Sequence, residues 1–357
     1  MGANRGGVKP VVSVVIVNYN GGRLVREAVR VVLGSTVPIE IFVVDNGSSD
    51  KSIAALCDLA VHESRLQLIE NGRNLGFTRA SNIALRQARG EYLLLLNPDC
   101  IVEPSTIQRM LAVLDSHTDV GIAGCLIRNP DGSEQAGCRR AVPTPWRTFV
   151  RVFHLNKLFP RHPRFRTFLL NKEPLPAGPV DVEAISGALM LIRRRAMNEV
   201  GLLDEGYFLH CDDLDWCMRF RQAGWRILFV PDAEAVHYKG ACSKDKSVDV
   251  EWHKHKGMIR FYQKFFRHQY PLPLMLLVMA AVWTRYLLIT GMAFFRQEGE
   301  SPAAPGSANQ ERIAARPAAQ EENNTAPVFE LDADSPAIDP TLVISSIETE
   351  TRQRRLS

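Results

Sequence analysis

YLLLLNPDC, residues 92–100, decides how this chain is read. An apolar run, Tyr92–Leu96, drives into Asn97-Pro98-Asp99. No polar residue interrupts the run, so both faces are expected to be buried, as in a parallel sheet. Pro98 denies the turn an amide donor and stiffens it, which leaves Asp99 a fixed carboxylate at the strand tip. IFVVDNGSSD, residues 41–50, repeats the pattern with Asp45, and DDLDWCMRFRQAGW, residues 212–225, opens on Asp212 and Asp213. Open α/β sheets bind ligands beyond the carboxyl ends of their strands. Carboxylates gathered there hold a metal ion or move a proton. The chain reads as an enzyme that handles a phosphorylated substrate.

Working outward, apolar runs at Val11–Val17, Ile39–Val44, Leu66–Ile69, Tyr92–Leu96 and Val120–Cys125 alternate with helical stretches near Arg23–Leu33, Lys51–Ala60, Thr78–Arg89 and Pro104–Ser116. This βαβα rhythm predicts a doubly wound α/β fold with a mostly parallel sheet. Ser49 or Asp50 is placed to cap the second helix. The pattern resumes at Val182–Arg193, followed by a helix over Asp212–Ala223, a strand at Arg226–Val230 and a basic helix at Glu251–Arg267.

The formal charge of +4 is unevenly spread. Residues 298–357 carry 11 acidic and 5 basic side chains, which leaves +10 on the preceding body. A basic body suits an anionic partner. The cysteine count, seven, is odd, and none has CxxC spacing, so free thiols in a reducing compartment are expected. The opening MGANRGGVKP reads as no targeting peptide.

Residues 138–172 interrupt the rhythm and contain no acidic residue. Arginines and lysines there (139, 140, 147, 151, 157, 161, 164, 166 and 172) are interleaved with Trp146 and five phenylalanines. Two readings stand level: a solvated basic loop, or a patch for an anionic membrane surface, where each cation adds about 1 kcal/mol of attraction. Nothing else in the chain supports a nucleic-acid partner, and none is expected. Leu272–Phe295 is apolar apart from Arg285. Its length approaches that of a membrane span, and a central Arg costs about 2.5–3.5 kcal/mol there. The alternative is a helix lying in the interface, with Arg285 snorkelling and Trp283 and Tyr286 at head-group depth. If the segment crosses, Arg260, Lys264 and Arg267 put the body on the cytoplasmic side. The expected organisation is a catalytic domain over 11–242 carrying the 138–172 insert, a membrane-associating helical segment over 243–296, and a disordered tail over 297–357, poor in large apolar residues.

Each candidate residue also has a bland reading. VNYN, residues 17–20, followed by Gly21-Gly22, makes a loop that approaches a ligand closely, but the glycine pair lacks the dinucleotide fingerprint. Asp45 is placed to accept from a base or ribose, or else to cap the next helix. Asp212, Asp213 and Asp215 fall in a first helical turn, where the dipole favours acids. Three within four residues exceed what capping needs, and Asp213 is the candidate general base. Asp215 and Arg219 are spaced to pair. His237, in VHYKGAC, is a metal ligand, a diphosphate donor or an ordinary histidine.

Taken in order, VNYN, VVDNGSSD, NLGF (74–77) with Asn82, NPDC, ISGALMLIRR (185–194), DEGYFLHCDDLDWCMR and VHYKG resemble the family 2 glycosyltransferases, and within them a rhamnosyltransferase-like branch. The resemblance covers about residues 11–242 and implies a GT-A (Rossmann-like) nucleotide-diphospho-sugar transferase fold. It implies that Asp45 meets the nucleobase, that Asn18, Asn20, Asn82 and Asn97 lie along the donor, and that Asp99 stands at the last acid of an Asp-x-Asp metal motif. Asn97 replaces that motif's first acid. Asp213 takes the catalytic-base position with Asp212 beside it in place of the usual Glu, and His237 approaches the metal or diphosphate. The implied cofactor is Mg²⁺ or Mn²⁺. The implied reaction is inverting transfer of a sugar, L-rhamnose from dTDP-rhamnose, to a polyprenyl-linked or polysaccharide acceptor in cell-envelope synthesis. It would take place at the cytoplasmic face of the plasma membrane, with the chain peripheral or single-span. Two rivals remain: a sugar-1-phosphate nucleotidyltransferase, which wants a Lys or Arg in the loop after strand one where only Arg23 is offered, and an inactive membrane-associated scaffold.

Overall fold

A computed structural model describes residues 9–159, 162–165, 167–241 and 247–299. The tail from 300, Cys242, Arg161 and Arg166 lie outside the described residues.

The strands are β1 (Val12–Asn18), β2 (Ile39–Asp45), β3 (Leu66–Glu70), β4 (Tyr92–Leu96), β5 (Cys100–Val102), β6 (Val120–Arg128), β7 (Arg139–Arg140), β8 (Val180–Asp181), β9 (Ala184–Ile185), β10 (Leu189–Arg193) and β11 (Arg226–His237). The helices are α1 (Gly22–Leu33), α2 (Ser52–His62), α3 (Phe77–Gln87), α4 (Thr106–Ser116), α5 (Pro145–Val152), α6 (Leu155–Leu158), α7 (Arg194–Val200), α8 (Asp212–Gln222), α9 (Ser247–Phe266) and α10 (Leu272–Gly299). The main sheet runs β3-β2-β1-β4-β10-β6-β11-β5, with β8 on β11. β1 pairs in parallel with β2 and β4, β2 with β3, and β6 with β11. β10 runs antiparallel to both its neighbours, which makes this a mixed, mostly parallel α/β sheet.

Every residue of β1 and β2 is buried, as uninterrupted apolar runs require of central strands. Helices close both faces. α1 buries Val25, Ala28, Val29 and Val32, one stripe at helical spacing. Each such side chain contributes about 1.5–3 kcal/mol by leaving water. Strands β1, β2 and β4 end together, so Asn18, Asp45 and Asn97 emerge on one edge of the sheet.

Two elements depart from the sequence expectation. The run over 182–193 is two strands, because β9 pairs with β7 in a small second sheet while β10 joins the main one. The chain changes sheets at Ser186-Gly187-Ala188. The strand expected to stop at Val230 continues to His237 after a register shift between Val230 and Glu234, where Pro231 offers no amide. Its extension pairs with β5 and sets His237 opposite Cys100. Of the two residues expected to cap α2, Asp50 is the one that accepts from the Ser52 amide, at 3.1 Å.

α10 packs along α9. Met275 and Val278 are buried. Trp283 and Tyr286 lie 5.3 and 5.6 Å from Trp252. Arg285 meets His255 at 3.1 Å and Glu251 at 3.9 Å and stays exposed.

Candidate active site

The strand tips build two adjoining clusters. In the first, Asn18 and Asp45 end neighbouring strands directly across from each other. The Asn18 amide donates to Asp45 at 2.9 Å, and its carbonyl oxygen accepts from the Gly21 amide at 3.2 Å. Asp45 also accepts from the Gly47 and Ser48 amides, at 3.0 and 2.9 Å, and from the Ser48 hydroxyl at 2.5 Å. Its carboxylate is therefore committed to holding loop 45–50. Asn20, in a left-handed conformation (φ 54°), accepts from the Ser49 amide at 2.8 Å. Gly47 is also left-handed, and a Cβ there would stand 2.9 Å from the Arg73 backbone, so the loop needs glycine to lie against residues 72–73. Asn82 sits apart: both ends of its amide hold Leu203, at 2.9 and 3.1 Å.

The second cluster joins Asn97, Asp99 and His237. The Gln135 amide nitrogen donates to Asn129 and to the His237 carbonyl, which turns its oxygen toward His237 Nδ1 at 2.7 Å. Nδ1 therefore faces an acceptor, and Nε2 faces Asp99 at 3.1 Å and the Asn97 side-chain amide at 3.3 Å. An imidazole oriented through its far nitrogen beside a carboxylate is a fitting divalent-metal donor pair. Among the described residues no three or more His, Cys, Asp and Glu side chains gather to hold a metal. The pair would leave the other positions to water and substrate oxygens, as Mg²⁺ accepts.

Asp213 is linked to the Asn97 strand tip through a dipeptide. Its Oδ2 accepts from the Gly187 amide at 3.0 Å, and the next residue, Ala188, accepts from the Asn97 amide at 2.9 Å. Arg140 forms an ion pair with the same carboxylate, and the Leu214 amide donates to Oδ1 at 2.7 Å. The sequence reading counted Arg139, Arg140 and Arg147 in the basic insert. They are instead paired with Glu134, Asp213 and Glu183, supplied from outside the insert.

α8 begins after two successive left-handed residues, His210 and Cys211 (φ 66° and 64°). Such non-glycine conformations cost about 1–3 kcal/mol each and persist where packing over-determines them. Gly257 of α9 supplies that packing, since a Cβ there would lie 2.9 Å from the His210 carbonyl. The three acids that follow have separate fates. Asp215 is fully buried and meets Arg219 at 2.7 Å and Lys264 at 2.6 Å, a structural role. Asp212 is buried, and its carboxyl is pushed up to about 7, by desolvation first and then by the charge of Asp213. Asp213 keeps partial exposure and fixed donors.

Beside these clusters lies a cavity of about 560 Å³. Arg73, Arg79 and Lys256 line it against Glu205, with Phe208 stacked on His253 at 4.1 Å. Gln135, Arg140, Gly187 and Gly257 escaped the sequence reading as site residues, because nothing local marks them.

The profile of Glycosyl transferase family 2 matches residues 13–201. An N-acetylglucosaminyl-diphospho-decaprenol L-rhamnosyltransferase of Mycobacterium tuberculosis is 32% identical over 241 residues, covering 64% of this chain and 76% of that protein. Rhamnosyltransferase WbbL of Escherichia coli is 26% identical over 239 residues, 64% of this chain and 83% of its own. The mannosyltransferase PcManGT from Pyrobaculum calidifontis, solved with GDP-Man and Mn²⁺, is similar in fold, with a TM-score of 0.51 at 19% identity over 83% of this chain and 77% of that one.

Proposed function

The chain belongs to glycosyl transferase family 2 and is related to rhamnosyltransferases of cell-envelope glycan synthesis, and on that footing we propose an inverting hexosyltransferase. Its donor is a nucleotide-diphospho-sugar, dTDP-L-rhamnose by kinship. Its acceptor is a prenyl-diphosphate-linked sugar or a polysaccharide, met at the cytoplasmic face of the plasma membrane.

One observation carries the reading. The Asp213 carboxylate and the Asn97 backbone are bonded to adjacent residues, Gly187 and Ala188, which supports a candidate base working beside the strand tip that carries Asp99. Asp99 and His237 are the residues that would hold Mg²⁺ or Mn²⁺, whose contribution when bound is to neutralise the departing diphosphate. Asp213, oriented by Gly187 and Arg140, takes the proton from the acceptor hydroxyl. The acceptor oxygen then attacks the anomeric carbon on the face opposite the diphosphate, and configuration inverts. Asp212, desolvated beside it, retains a high proton affinity at the same helix start. Arg73, Arg79 and Lys256 give the adjoining cavity a cationic lining suited to a phosphate-bearing ligand.

The test is a panel of nucleotide-sugars screened by thermal shift and then by transfer to a synthetic prenyl-diphosphate sugar, with anomeric configuration read by NMR. Stabilisation by nucleotide-sugars, and a product inverted at the anomeric carbon, are expected. Nucleotidyl transfer from a nucleoside triphosphate, with no sugar transfer, would overturn the proposal.

A further inference from the structure

We propose that α10 does not cross a bilayer but lies along an anionic one, carrying the catalytic body on its inner side. This rests on the membrane setting of the proposed function and specifies its geometry.

The segment Leu272–Met292 is 21 residues long and apolar enough to span. At 1.5 Å per residue it would cover the hydrocarbon core, about 30 Å. The contacts of the helix oppose that orientation. Leu274, Met275, Val278 and Val282 join the core cluster of the catalytic body. Further along, Trp283, Arg285 and Tyr286 engage Trp252, His255 and Glu251 of α9. α9 in turn is bound into the body: Phe261 and Tyr262 are fully buried, and Lys264 meets Asp204 at 2.7 Å and Asp215 at 2.6 Å. A perpendicular α10 would have to drag this charged helix into hydrocarbon, or tear these contacts apart.

The outer face has no such partner. Leu272, Leu276, Leu277, Leu287, Leu288 and Met292 are each more than half exposed. Arg285, the segment's one charge, meets His255 and Glu251 while its side chain stays 54% exposed. An apolar stripe about five turns long, broken by one arginine, is far from what a monomer normally leaves in water. Its inner face held by the body, such a stripe is free to lie against a lipid surface. The basic insert extends the surface, because α5 touches α10 and Phe153, Leu158 and Phe159 stand more than half exposed on it or just after it.

Charge selects lipid over a second copy of the chain. Arg151, Lys157 and Arg164 of the insert, and Arg267 before α10, are exposed and have no ion-pair partner among the described residues. Two copies would press these cations together, whereas anionic head groups neutralise them at about 1 kcal/mol each.

The full chain should be floated with preformed vesicles of phosphatidylcholine and phosphatidylglycerol in equal parts, and with phosphatidylcholine alone. Wild type is expected to bind the anionic vesicles. L277D/L288D should lose about ten-fold or more in partitioning, with nucleotide-sugar thermal shift unchanged, because neither leucine packs against the body. K157E/R267E should weaken binding to the anionic vesicles alone. An alkaline phosphatase fused at the C-terminus should stay inactive in cells, since both ends of an in-plane helix remain cytoplasmic. An active phosphatase, vesicle binding unaffected by L277D/L288D, no vesicle binding by wild type, or a soluble dimer that this variant dissociates would each overturn the inference. Failure of nucleotide-sugar binding in wild type would instead count against the catalytic reading.

Discussion

Arg140 and Asp213 are ion-paired across 73 residues of chain, and the Gly187 amide shares the same carboxylate oxygen. Arg140 Nε is buried without a partner. The guanidinium also donates to the Ile185 carbonyl at 3.3 Å, which braces it against Asp213 and fixes the direction in which the carboxylate points.

Replacing it tests that role. Arg140→Gln is expected to lower kcat about ten-fold or more, with little change in donor KM, and to destabilise the fold by about 2 kcal/mol. That is below the full cost of breaking a buried pair, since both side chains keep some exposure. Arg140→Lys should recover part of the kcat loss. Steady-state kinetics and urea melts of both variants measure this.

Asp213→Asn keeps the shape of the side chain and removes the proton acceptor. Transfer is expected to fall by about 10²–10⁴-fold, while nucleotide-sugar binding by calorimetry stays near wild type. Transfer near the wild-type rate would remove Asp213 from the role of base.

Gln135→Leu leaves His237 Nδ1 without the acceptor it faces. Loss of such a supporting bond typically weakens metal binding about 10–100-fold. Mn²⁺ binding followed by electron paramagnetic resonance, without substrate, should show the weakening.

Asp45→Asn places an amide group among the donors of Gly47, Ser48 and Asn18. A loss of about 1–3 kcal/mol is expected in the ligand-free chain, since buried donors lose their acceptor. Thermal denaturation without nucleotide separates this cost from any effect on binding.

Two carboxylates give opposite pH dependences. Burial raises Asp212 from 3.8 to about 7, so the folded chain holds a proton that the unfolded chain releases. Its contribution is present below pH about 4 and is lost as pH rises toward 7. Burial also acts to raise Asp204, but the bonds from Lys264, the Gly206 amide and Arg260 outweigh it and hold the group at about 2. Its contribution is present above pH about 4 and is lost as pH falls toward 2. Desolvation lowers His210 and His255, whose contributions instead grow as pH rises toward 6.5, so between pH about 5 and about 7 the slope of stability with pH should be more positive in Asp212→Asn than in wild type, as urea melts of both would show.

The alternation of strands and helices, the acids at the strand tips and the kinship of the chain were legible from residues 11–125 and 182–242, because apolar runs and their polar ends are local properties. What each polar side chain does was not local. His237 reaches Asp99 only because β11 passes Pro231 and pairs with β5. Asp45 is consumed by its own loop, and Arg140 leaves a basic stretch to hold an acid on α8. Composition marked residues 272–295 as able to cross a membrane, and only the packing of one helix face against α9 tells its inner side from its outer. Hydrophobic patterning is set within a few residues, whereas the partner of a buried charge is set by sheet order and register, which exist only once the chain has folded.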